Sequence, residues 1–264
     1  MTGRAGVEAP LPGIEIGATW MANLRDEGVQ QDFASAVADL HRTWRKLAAH
    51  ERRQSLQAAV DGAANAVQKP SWEVICRALP PGQDGQLRCD RNNWSLEVAD
   101  AFVEGSTDDG EAWLRTVSMV YHEMRHGEQW YLCAQAVLAE QFPLPCGAQP
   151  ADPAAGVAES DLRDTMGLPG SIVQYAAQRR SQFPHDLLPV TRGWYDSLFG
   201  ARRRPQDRVL ETIQHGGKAS DHLHLPEEQD AWDLQQSVQE KGKALIGSSL
   251  DSRAYDALRS LFGE

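Results

Sequence analysis

His122-Glu123-Met124-Arg125-His126 reads H-E-x-x-H. On an α-helix, positions i and i+4 lie on one face, about one turn apart. Two imidazoles so placed can converge on one zinc ion, while Glu123 points toward the place of a water on that ion. The pentapeptide therefore names a cofactor, Zn²⁺, and three roles. His122 and His126 are ligands, and Glu123 is a general base for hydrolysis.

That chemistry needs a helix under it. Trp113, Leu114, Val117, Val120, Tyr121 and Met124 recur at spacings of three and four, an apolar stripe that buries one helix face. Thr107, Asp108 and Asp109 offer caps at its start, and Glu111 suits the first turn. The periodicity continues through Trp130, Tyr131, Cys133, Ala134, Val137 and Leu138 until Phe142-Pro143 ends it. Glu128 and Gln129 fall off the metal face and are expected to hold neighbouring loops. Just before this helix, Gln86 to Val103 is the best β candidate. Trp94, Leu96 and Val98 alternate with Ser95 and Glu97, and Arg91-Asn92-Asn93 has turn chemistry.

A catalytic zinc takes three protein ligands plus water. The metzincin pattern would place Gly at 129 and His at 132, but these are Gln129 and Leu132, so that class is excluded. A third ligand can also come from a later helix. Pro226-Glu227-Glu228-Gln229-Asp230-Ala231 opens one, with carboxylates at the end where the helix dipole favours negative charge. His215, His222 and His224 lie on the approach to it.

H-E-x-x-H followed by this P-E-E-Q-D-A start resembles gluzincin-type metallopeptidases. It is similar to small bacterial zincin-like domains attached to contractile-injection and polymorphic-toxin systems. The resemblance covers the hairpin, the motif helix and the later acidic helix. It implies Glu228 as third ligand, with Glu227 as the runner-up, and Asp230 as a partner orienting a ligand histidine. His222 or His224 would instead complete a three-histidine site. His222, His224, Tyr195 or Tyr175 could stabilise the oxyanion. The resemblance further implies that the strand before the helix edges the cleft and pairs with an extended substrate. It implies a zinc metallopeptidase acting on a protein or peptide, a bacterial effector or toxin with an immunity protein or secretion machinery as partner. The alternatives are a catalytically inert zincin-fold adaptor and a zinc hydrolase of a non-peptide amide.

The 264 residues suffice for one large domain or two small ones, and the net charge of −11 argues against a general nucleic-acid binder. Arg202-Arg203-Arg204, the densest basic run, reads as solvated surface. Cys76, Cys89, Cys133 and Cys146 contain no C-x-x-C pair, and their spacing demands no disulfide. No apolar stretch is long enough to span a membrane, and Met1 to Gly17 has no signal-peptide core. The chain is thus expected to be cytoplasmic as made, with any export through a signal-independent injection system.

The fold class expected is mainly α, or α+β: a zincin-like core with a small β-hairpin. Residues 1–30 read as a loose leader in which Ile14, Ile16 and Trp20 could dock. Residues 31–264 read as one domain: helices over 31–70, hairpin and metal helix over 86–142, a helical spacer over 143–225, and C-terminal helices over 226–264. Trp72 to Leu79 fits a strand or a helix, and Pro80-Pro81-Gly82 a loop. In the spacer, Ile172 to Arg180, Trp194 to Phe199 and Val209 to Ile213 have helical patterns, and a separate closing helix is expected over Ser252 to Phe262.

Overall fold

In a computed structural model, residues 23–80, 83–105, 109–152, 154–200 and 225–262 are described, with side chains of the last helix to residue 247. The expectations for Ile14, Ile16, Trp20, Pro81-Gly82, Thr107, Asp108, Val209–Ile213, the Arg202-Arg203-Arg204 run, His215, His222, His224 and the side chains of Ser252–Phe262 lie outside the described residues.

Helix α1 spans Glu27–Thr43 and α2 spans Ala49–Ala66. The leader boundary at residue 30 is corrected: Asp26 accepts from the amides of Gly28 and Val29 and starts α1 there. Three strands follow, β1 Glu73–Arg77, β2 Gly85–Asp90 and β3 Asn93–Ala99. β2 and β3 form the expected hairpin around Arg91-Asn92, with Leu87 opposite Leu96, while β1 pairs parallel to β3. The order is β1-β3-β2, so β2 is an edge. The expected β run to Val103 stops at Ala99, where Asp100–Glu104 turns into helix α3. Phe102 there stacks on Trp113, with ring centroids 5.0 Å apart, a packing partner that local alternation does not encode.

Helix α4, Gly110–Leu138, carries the motif, and Asp109 caps it by accepting from the Glu111 amide. Its first half packs with α1, α2 and the sheet around Trp44, Trp72, Trp113 and Tyr121. Its second half packs with helices α5 (Glu159–Met166), α6 (Gly170–Gln178) and α7 (Leu188–Phe199) around Leu132, Leu162 and Trp194. Pro189 sits in the first turn of α7, where a missing amide hydrogen costs nothing. The last helix, α8, runs unbroken as Pro226–Phe262, so the separate closing helix is corrected to one continuous element. The structure is mainly helical with a small three-stranded sheet. No helix among the described residues is long and apolar enough to cross a membrane.

Two glycines bring the sheet close to α4. A Cβ on Gly85 of β2 would lie 2.3 Å from Met119 Cε, and one on Gly127 of α4 would lie 2.1 Å from Trp72 Nε1. A side chain at Gly127 would run into the rigid Trp72 indole and one at Gly85 would displace Met119, so the edge strand and the residue before β1 pack directly on the motif helix.

Candidate metal centre

α4 and α8 cross so that the motif meets the start of α8. His122 Nε2 and His126 Nε2 are 3.0 Å apart. Glu228 Oε2 lies 3.6 Å from the first and 3.4 Å from the second. Ligands at 2.0–2.1 Å on a tetrahedral zinc stand about 3.3 Å from one another. The three donors, one carboxylate and two imidazoles, therefore already have the spacing of three corners of that tetrahedron. They form the one group of three or more metal-ligating side chains among the described residues.

The electrostatics suit a cation. Burial works against a proton on His126, but the Glu228 and Glu123 carboxylates and the Gln129 contact outweigh it and raise this imidazole to about 9. Burial pushes Glu228 up, yet the two imidazoles hold it well below the usual carboxylate range. A positive charge at the centre of the three is what this field stabilises.

Glu123 stands beside the three donors. Its Oε2 accepts from the Leu87 amide of β2 at 2.7 Å. Leu87 sits in the middle of the strand, and this one bond ties β2 to α4 beside the two histidines. The edge strand thus positions the carboxylate proposed as base.

His126 is held from behind. Gln129 is fully buried, and its Oε1 is 2.9 Å from His126 Nδ1. The Gln129 amide group donates to Asp230 Oδ2 at 2.8 Å and to the Glu227 carbonyl at 2.9 Å. With both amide hydrogens so engaged, Oε1 faces the imidazole as an acceptor. Once a cation takes the place of the second proton, His126 would keep its proton on Nδ1 and present the Nε2 lone pair to the centre. His122 Nδ1 is buried without a partner among the described residues.

Several expectations are corrected. Asp230 does not touch a histidine; it reaches His126 only through Gln129, and otherwise binds Arg125 Nε and Arg25 Nε, both at 2.6 Å. Gln129 is not a loop anchor but the group that orients His126. Glu227 turns away from the centre into the packing of α7, accepting from the Ser197 hydroxyl at 2.9 Å, and burial raises its pKa. Tyr195 is removed from the centre: its hydroxyl donates to the Pro143 carbonyl at 2.6 Å and its ring packs on Phe142. Tyr175 donates to the Gln68 carbonyl.

A buried charge network under the site was not foreseen. Arg125 is fully buried, paired with Glu128 and Asp230, and its guanidinium lies 4.9 Å from the centroid of the Trp194 ring. Glu128 in turn accepts from the Leu24 amide at 3.0 Å, and the Tyr121 hydroxyl donates to the Leu24 carbonyl at 2.7 Å. The signal was present: Arg125 and Glu128 follow Tyr121 at the same four- and three-residue steps that place Leu132 in the core. Charged residues in a buried stripe must pair with each other.

Comparison with family models, with curated proteins and with solved structures finds no match to this chain. The cysteines are all free, and Cys133 is buried on α4 as its helical position suggested.

Proposed function

We propose that this chain is a zinc-dependent metallopeptidase with His122, His126 and Glu228 as ligands and Glu123 as general base. The observation that carries the reading is the convergence of three donor atoms at 3.0, 3.4 and 3.6 Å with Glu123 beside them. When bound, zinc supplies a Lewis acid for a carbonyl and lowers the pKa of water. Glu123 takes the proton of the attacking water and passes it to the departing amine. Leu87 N–H holds that carboxylate by one oxygen, leaving Oε1 for the water. Gln129 keeps His126 in the tautomer that ligates.

A peptide is the favoured substrate because β2 is an edge strand beside the metal helix. An extended chain has backbone groups to pair with such an edge, and a small amide does not. The zinc-loaded protein is expected to cleave an unfolded protein substrate such as reduced casein. A zinc-selective chelator should stop cleavage, and stoichiometric zinc should restore it. Cleavage that persists through chelation would refute the reading.

A further inference from the structure

We propose that Trp232 forms a binding site for a large apolar side chain of the substrate, on the wall of the cleft opposite β2. This inference rests on the metallopeptidase reading. Trp232 is 39% exposed, a value that only one other large hydrophobic residue, Val190, shares among the described residues. An indole this exposed offers apolar area that a bound side chain can cover.

Its place on α8 says which partner. Trp232 follows Glu228 by four residues, so both stand on one helix face with about 6 Å of rise between them. The flank of α8 that meets α1 is a different one. Ser237 there donates to Gln30 Oε1 at 2.6 Å, and Lys241 lies 3.4 Å from Glu27. At 100° per residue, Ser237 is roughly 140° around the helix from Trp232. Ala231, Leu234 and Val238 form the buried side of α8, while Gly242 packs on Leu114 of α4. Trp232 thus faces neither α1 nor the core; it stands on the metal side, one turn from the ligand.

The opposite wall is β2, fixed by the Leu87–Glu123 bond. A peptide paired along β2 with its scissile carbonyl at the centre would direct alternate side chains away from that strand's plane. One of them meets the indole. The next turn of α8 carries the half-buried Gln236, an uncharged group that suits an apolar side chain and a peptide amide better than an ionic one. Large aliphatic or aromatic residues beside the scissile bond are the chemistry that fits.

The test uses the zinc-loaded full chain and two probes, acetohydroxamate and N-acetyl-leucyl hydroxamate. Both carry the same metal-binding group; only the second carries an apolar side chain. Calorimetry should show that Trp232→Ala weakens the leucyl probe by about tenfold and leaves acetohydroxamate unchanged. Trp232→Phe should retain most of the leucyl preference. Unchanged affinity for the leucyl probe in Trp232→Ala, or equal weakening of both probes, would overturn the proposal while leaving the metal centre standing. If acetohydroxamate does not bind the wild-type protein, the metallopeptidase reading fails, and the Trp232 site falls with it.

Discussion

Glu123→Gln should keep its zinc and lose peptide hydrolysis by a factor on the order of 10³ or more. The substitution is nearly isosteric, and the Gln side-chain oxygen can still accept from the Leu87 amide, so the edge strand stays in place. What disappears is the ability to take a proton from water. The ligand atoms of His122, His126 and Glu228 are untouched, which separates this variant from a ligand mutant. Single-turnover cleavage together with metal analysis reads both properties on one sample. Wild-type rates in Glu123→Gln would remove Glu123 from its role.

The second large effect concerns folding. Arg125→Met fills a similar volume but leaves Glu128 and Asp230 buried without their cation. Breaking a buried pair from one side costs about 3–5 kcal/mol. Denaturant unfolding of the metal-free protein should show a loss of that size, and a change under about 1 kcal/mol would contradict the network. Acid should act on the same residues. Burial pushes Asp230 up, but the Arg125 charge and the hydrogen bonds from Arg125 and Gln129 outweigh it, so its folded pKa lies below the ordinary aspartate value. A depressed carboxyl contributes stability that is present above about pH 4, its unfolded value, and is lost as pH falls through the folded one. Asp230→Asn should therefore be the less stable protein at pH 7 and show a shallower stability loss below pH 4.

The candidate site was more legible in the sequence than the scaffold around it. The motif helix was readable because its apolar stripe runs for eight turns and Asp109 caps it. Glu228 was nominated by a resemblance, and its carboxylate does meet the two imidazoles. The residues that orient those ligands were not readable, because their partners are distant in sequence. Gln129 serves His126 only because α8 brings Asp230 and the Glu227 carbonyl to it from about 100 positions away. Asp230 was read as a partner orienting a ligand histidine, and the Gln129 amide interposed between them could not be seen from helix periodicity. Strand β1 was ambiguous for a related reason: its pairing with β3 is parallel and non-local. Helix α5 was missed because its eight residues carry only Leu162 and Met166 as buried anchors, too few for a periodic signal.

The central claim is a three-ligand zinc centre, and metal analysis after exhaustive dialysis tests it most directly. The wild-type chain should retain about one zinc per molecule, and Glu228→Ala should bind it at least tenfold more weakly. A wild-type chain that holds no zinc and gains no thermal stability when zinc is added, or a Glu228→Ala chain that binds as tightly as wild type, would contradict the account.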